Sequence, residues 1–348
     1  MNSKNISHIN PKRILICQLR QIGDVVLTTH IIQLLKQRFP NALVDFLTEK
    51  KCAPVLENNP YLAEIKILDK KKLTSFAKEL ACYWKIARNG YDMVIDFQQL
   101  PRCRFVVLFS RANIRLTYHP PWYNRMLYTH WATMDAQHPV ERKAQILSPL
   151  GIVWNREKPR IFLTNQEKKW AAQELGGLSV GTDDILVTVD PTHHSATRRW
   201  PAPYFGKLIN SAVQQDNRLK FYILYGPGEK ECADRVAQAA HSPDHCFVPD
   251  RILSLREMAA IIQKADLHLG NCSAPRHFAV ALDTPSLTIL GSEGQGWTFP
   301  SPEHTHIFKG LPCQPCKSGS CSQGNRPCLT ELMPEEVLPE LLKKIELT

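Results

Sequence analysis

Short apolar, β-prone runs alternate with stretches of helical periodicity along nearly the whole chain. Arg13–Leu19 (RILICQL) predicts a strand, Arg20-Gln21-Ile22-Gly23-Asp24 a turn, and Val25–Phe39 a helix that Pro40 stops, with Val26, Ile31, Leu34 and Leu35 at helical spacing. Leu43–Thr48, Ile65–Leu68 and Met93–Phe97 read as further strands and Leu73–Arg88 as a helix. Around Tyr118–Trp131 (YHPPWYNRMLYTHW) the rhythm breaks: the stretch is aromatic, basic and proline-containing, and reads as a long loop or irregular helix. Strands alternating with helices predict a parallel sheet.

A second series opens with a strand at Ile185–Val189, a helix at Pro203–Gln214, a strand at Lys220–Leu224 and a helix at Glu229–Ala240. It continues with a helix at Leu255–Lys264 and strands at Leu267–Leu269 and Ser286–Leu290. The boundary between the series falls between Gly151 and Thr182, and 348 residues at 43% apolar are enough for two cores. The fold expected is α/β, two doubly wound Rossmann-like domains in tandem, in which ligands bind outside the carboxyl ends of the strands.

Composition narrows the class. No apolar run approaches the eighteen or so residues of a membrane span, and Met1–Lys12 lacks the apolar centre of a signal peptide, so a cytoplasmic protein is expected. Eleven cysteines in such a chain point to reduced thiols. The net charge of +10 lies in the first half, where residues 1–150 hold 22 Lys and Arg against 11 Asp and Glu. Such a half suits a phosphorylated ligand, an anionic membrane or nucleic acid; aromatics do not alternate with the basic residues as a stacking platform needs, so nucleic acid is not expected.

The turns after the strands carry the candidate chemistry. Asp24, at the start of the first long helix, is placed either to cap it or to act as a base. Pro191–Pro201 (PTHHSATRRWP) brings Thr192, His193, His194, Ser195 and two arginines to a helix start, where unpaired N–H groups and the helix dipole favour phosphate. Tyr225–Glu229 and Gly270–His277 are two more polar turns between strand and helix, together the pattern of a nucleotide site, without the spacing of a Walker loop or a dinucleotide fingerprint. Near the C-terminus Cys313, Cys316, Cys321 and Cys328 could enclose a structural zinc or stand as free or reversibly oxidised thiols.

From ILICQLRQIGDVVLTTHIIQLLKQRFPNALVDFL through RRWPAPYF and YGPGEKE to LSLREMAAIIQKADLHLGNCSAPRHFAVALDTPSLTILG and the cysteine-bearing tail, the chain resembles the lipopolysaccharide heptosyltransferases of glycosyltransferase family 9. The resemblance implies a GT-B fold, two facing Rossmann-like domains with the active site in the cleft between them. An acceptor domain would span residues 1–165, a nucleotide-sugar domain 180–330 and a C-terminal helix 331–348. It implies an inverting transferase that needs no metal, takes a sugar, heptose from ADP-heptose, and hands it to an anionic lipopolysaccharide core at the inner face of the cytoplasmic membrane. By the family's pattern Asp24 is the catalytic base, Arg198 stands for the lysine that reaches the donor phosphates, Glu229 lies near the ribose, Leu253 against the base and His277 near the diphosphate. Acceptor contacts are expected from Arg20, Gln21, Arg102, Arg104 and Arg125, with Trp122 and Tyr123 offering faces to sugar or lipid. The family's Asp-Thr-Gly reads Cys272-Ser273-Ala274 here, exchanging a carboxylate for a thiol that accepts hydrogen bonds poorly. That departure leaves room for two alternatives: a different nucleotide sugar, or a relative that binds nucleotide or glycolipid without transfer.

Overall fold

A computed structural model describes residues 6–347. The chain divides into two compact units, Met1–Phe162 and Leu163–Thr348. The first five residues of the expected acceptor domain and the last of the expected C-terminal helix lie outside the described residues.

In the first unit β1 (Arg13–Cys17) runs into α1 (Ile22–Arg38), followed by β2 (Leu43–Glu49), β3 (Glu64–Leu68), α2 (Phe76–Ala87) and β4 (Met93–Asp96). Then come α3 (Pro101–Ser110), β5 (Ile114–Tyr118), a 3-10 turn at Trp122–Leu127, β6 (His130–Ala132) and α4 (Pro139–Gln145). The strands form one parallel sheet in the order β3-β2-β1-β4-β5-β6. The order reverses between β1 and β4, so the crevice of a doubly wound sheet lies at the carboxyl ends of those two strands. Tyr118–Trp131 is therefore not simply a loop: Leu116, Thr117 and Tyr118 pair with His130, Trp131 and Ala132, and the stretch supplies the sixth strand. With three residues, that strand is too short to leave a periodicity.

The second unit runs α5 (Asn165–Gly177), β7 (Ile185–Asp190), α6 (Ala202–Gln215), β8 (Leu219–Ile223), α7 (Lys230–Ala240), β9 (Cys246–Phe247) and α8 (Leu255–Lys264). It continues through β10 (Leu267–Asn271), α9 (Ala274–Ala281), β11 (Ser286–Ile289), β12 (His304–Ile307), α10 (Pro327–Thr330) and α11 (Pro334–Glu346), the last packed on α6. Its sheet order, β9-β8-β7-β10-β11-β12, repeats that of the first.

The two faces of this sheet differ. Val187, Val189, Leu267, Leu269, Leu287 and Ile289 point into an apolar core shared with Trp200, Phe205 and Leu208. In register on the opposite face stand Thr188, His268, Ser286 and His304, and one step nearer the carboxyl ends Asp190, Gly270, Thr288 and His306. Thr188 Oγ1 and His268 Nδ1 are 3.1 Å apart, as are Ser286 Oγ and His304 Nδ1 at 3.0 Å, so this buried face is held by hydrogen bonds.

Candidate functional site

Asp24 stands in the first turn of α1, which begins five residues after β1 ends. Its Oδ2 accepts from Gln21 N at 3.4 Å, the capping contact, while the carboxylate keeps about two fifths of its surface open. Lys143, on α4, places Nζ 3.8 Å from Asp24 Oδ1, 2.9 Å from Gln18 Oε1 and 5.7 Å from the centre of the Phe97 ring. Burial pushes this ammonium below its ordinary pKa, and the Asp24 carboxylate opposes that shift. The segment after β4 is pinned alongside: Gln98 Oε1 accepts from Leu19 N at 2.9 Å, and Asp96 accepts from Gln98 N and Gln99 N at 2.9 Å. A part-exposed carboxylate beside a desolvated cation can receive a hydroxyl proton and have its charge change compensated.

The expected acceptor arginines do not converge on one point. Arg20 is exposed and Gln21 caps α1, with Lys51 Nζ 3.4 Å from its Oε1. Arg102 lies 3.8 Å from Glu49 and 3.9 Å from Glu79, Arg104 donates to Asn124 Oδ1 at 2.9 Å, and Arg125 is 3.4 Å from His119 Nε2.

In the second unit the switch point lies between β7 and β10. Asp190, the last residue of β7, is buried; Thr192 Oγ1 donates to its Oδ1 at 2.9 Å and Ser273 Oγ to its Oδ2. Burial outweighs these bonds and pushes its carboxyl up to about 6. Gly270 opposite is required: a Cβ there would come within 2.9 Å of the Asp190 carbonyl.

The turn after β7 holds a 3-10 turn at Ala196–Arg198 before α6 begins. His193 is buried and its ring lowered to about 4, chiefly by desolvation; its Nδ1 accepts from Ser195 N at 2.9 Å, and its ring stacks on the exposed His194 at 4.4 Å. Arg198 forms an ion pair with Glu293, so the expected phosphate cation already has a partner. Glu229 Oε2 accepts from Gly226 N at 2.9 Å, and Leu253 is half-buried just ahead of the α8 cap Ser254. Cys272 precedes α9, whose first residue is Ala274; its sulfur accepts from Arg276 Nη1 at 3.1 Å, and Arg276 also donates to the Trp297 carbonyl. The His277 ring is buried 6.2 Å from that of Trp297.

Cys313, Cys316, Cys321 and Cys328 line one cavity of about 170 Å³, together with Thr197 and Ser292. All are free thiols, and among the described residues no group of three or more His, Cys, Asp or Glu side chains is gathered closely enough to hold a metal ion. Burial, helped by the neighbouring sulfurs, pushes the Cys328 thiol up to about 11. The cysteine-bearing segment rests on the turns after β7 and β11: Thr197 Oγ1 donates to Ser318 O at 2.7 Å, Arg326 Nη1 to Ala196 O at 3.1 Å and Lys317 N to Ser292 O at 2.8 Å.

Lys143, Asp190, Arg276 and Glu293 escaped the sequence reading. Asp190 had a signal, a carboxylate directly after an apolar strand run, and Arg276 lay inside the polar turn Gly270–His277 without being singled out; Lys143 and Glu293 are brought in by tertiary packing that no local pattern reports.

The sequence profile of glycosyltransferase family 9 (heptosyltransferase) matches residues 80–326. A lipopolysaccharide heptosyltransferase 3 of Escherichia coli is 28% identical over 289 residues, 79% of this chain and 81% of that protein. Among solved structures, a family 9 glycosyl transferase of Veillonella parvula is similar with a TM-score of 0.86 at 20% identity, covering 98% of this chain and 99% of that one. The E. coli heptosyltransferase WaaC with ADP-2-deoxy-2-fluoro heptose is similar with a TM-score of 0.71 at 18% identity, covering 95% and 99%. At such identities the structural likeness speaks to the fold.

Proposed function

Because the chain belongs to glycosyltransferase family 9, the heptosyltransferases, we propose that it moves heptose from ADP-heptose, with inversion, onto an anionic lipopolysaccharide core at the inner face of the cytoplasmic membrane. An inverting transfer needs a base for the acceptor hydroxyl and positive groups for the departing diphosphate. Asp24 fills the first role. For the second, Arg198 leaves Glu293 for the phosphates, assisted by Arg199 and the N–H groups of the turn, so cationic side chains do the work a divalent ion does elsewhere. The donor's ribose lies by Glu229, its base by Leu253 and its diphosphate by His277, with Thr192, His193, His194 and Ser195 around them. Arg20, Gln21, Arg102, Arg104 and Arg125 receive the acceptor.

The observation that carries this reading is the open carboxylate of Asp24 at the switch end of the first sheet, 3.8 Å from the largely buried Lys143 ammonium. Asp24→Asn keeps the cap geometry but removes the proton acceptor, so turnover falls by a factor of about 100 or more while ADP still binds. Product analysis of the wild type by NMR gives the anomeric configuration, and inversion is expected. Near-wild-type turnover in the variant would leave Asp24 as a helix cap and nothing more.

A binding-only relative is the competing reading, raised by Cys272. Release of ADP from ADP-heptose on a purified core acceptor separates the two directly; binding without release favours the competitor.

A further inference from the structure

Six of the thirteen large apolar side chains exposed among the described residues belong to α2, α3 and the 3-10 turn at Trp122–Leu127, only 28 residues in all. Met126 is 94% exposed, Trp122 80%, Phe76 66% and Trp84 56%, with Tyr123 and Leu108 similar. The three elements are contiguous. The α3 helix packs on both others, Phe76 lies 6.2 Å from Phe105 and Phe105 6.1 Å from Phe109, and Arg104 ties α3 to the turn through Asn124. Residues 76–88, 101–111 and 122–127 hold seven Lys and Arg against a single acid, Glu79, which Tyr83 and Arg102 already engage.

We propose that this face docks on a lipid bilayer bearing anionic phospholipid. Aromatic and long apolar side chains that project singly among basic ones suit the boundary between headgroup and acyl chain: tryptophan and tyrosine lodge at headgroup level, methionine, leucine and phenylalanine reach the hydrocarbon, and lysine and arginine meet the phosphates. The charge complementarity is one-sided, as an anionic surface requires, whereas two copies of this face would set cation against cation. Position agrees. Phe76 opens α2 after β3 and the turn Trp122–Leu127 follows β5, both at the carboxyl ends of parallel strands, the end of the sheet at which Asp24 stands, so an acceptor anchored in the bilayer there offers its sugars on the side of the base. The proposal rests on the reading of the acceptor as lipid-linked.

The test is co-sedimentation of the full chain with vesicles of phosphatidylcholine containing phosphatidylglycerol, and with phosphatidylcholine alone. The anionic vesicles should be bound at least tenfold more tightly, with the difference shrinking as salt rises. Trp84→Ser, Leu108→Ser and Met126→Ser together should lower binding about tenfold or more, with melting temperature and ADP binding unchanged. Equal binding by the triple variant, no binding by the wild type, or a self-association in sedimentation velocity that the triple variant abolishes without any vesicle binding would each overturn the proposal. Transfer to a delipidated core oligosaccharide keeps the two readings apart: its presence without vesicle binding sinks the docking face alone, and its absence with vesicle binding sinks the transferase reading alone.

Discussion

At Asp24 the cap and the base are one residue, and what separates the roles is its neighbour. Lys143 is nearly desolvated, and its ammonium can stay charged there only with the help of Gln18 Oε1 and the Asp24 carboxylate. Arg142 and the buried His30 also face this group, and neither is an acid, so Asp24 is the carboxylate on which it depends. Removing a charged hydrogen-bonding partner costs about 1.5–3 kcal/mol, or roughly 10- to 100-fold in rate where the contact acts on the reacting group. Lys143→Met should lower kcat on that scale and leave the ADP dissociation constant unchanged, with Lys143→Arg recovering part of the loss; a folded Met variant with wild-type kcat would reduce the pair to scaffolding. Cys272 presents the opposite case, a family carboxylate missing beside a buried guanidinium. The N–H···S contact to Arg276 shows the thiol already serving as an acceptor, and a carboxylate would do so more strongly. Cys272→Asp should therefore change the ranking of nucleotide sugars in competition assays more than the affinity for ADP alone. A strong change in ADP affinity with unchanged ranking would place Cys272 against the phosphates.

Among the elements, α6 and α7 pack closely against each other, and Gly206 permits it. A Cβ on Gly206 would stand 2.5 Å from both Ala239 Cβ and the Val236 carbonyl oxygen, a clash with backbone that no rotamer relieves. Gly206→Ala should cost about 1–3 kcal/mol, read as a lower urea midpoint with the slope unchanged. Most elements were legible in the sequence because apolar runs and helical spacing report buried faces, and the helix-opening residues marked their starts. The exceptions have physical reasons. β9 is two residues long, and β12 reads His304-Thr305-His306-Ile307 because one of its sides joins the polar face of the sheet, so neither presents an apolar run. The sequence did not mark α3, β5, α4, α5 or the four-residue α10 either; α4 buries only Val140 and Ala144, and α5 only Ala171 and Leu175, too few for an apolar stripe. α9 begins four residues before its expected start, since Pro275 at the first turn fits a helix N-terminus and does not delay it. Candidate site residues followed the same division: Asp24 and Arg198 lie in turns beside their strands, whereas Lys143 reaches Asp24 and Glu293 reaches Arg198 from 119 and 95 residues further along the chain.

For the whole molecule, the buried histidines set the response to acid. Desolvation lowers His30 to about 3, His193 to about 4 and His268 to about 3, from an ordinary 6.5. Each stays neutral when folded but takes a proton when unfolded below pH 6.5, so the stability it allows is complete above that pH and drains away as pH falls toward 3 to 4. Asp190, raised to about 6, works the other way: its contribution is complete below about 3.8 and is lost as pH rises through 6. Burial lowers His306 in the same sense as the other rings and raises Asp96 in the same sense as Asp190, so four rings stand against two carboxyls and the balance is a net loss on acidification. The melting temperature should fall steadily between pH 6.5 and 4.5 in a calorimetric series, and a value at pH 5 equal to or above that at pH 7 would contradict the assignment of these rings as neutral and buried.

The bonds from the cysteine-bearing segment to the turn after β7 also bear on the order in which the protein is made. Ala196 and Thr197 are held by Arg326 and Ser318, Trp200 Nε1 donates to Leu332 O at 2.9 Å and Tyr204 to Thr330 O at 3.1 Å. As the chain leaves the ribosome, the strands of the second sheet can pair once β12 has emerged, but the turn after β7 still lacks its supports. The second sheet can therefore form before the turn after β7 is braced, and the full set of supports is present only once the chain has emerged through Leu332.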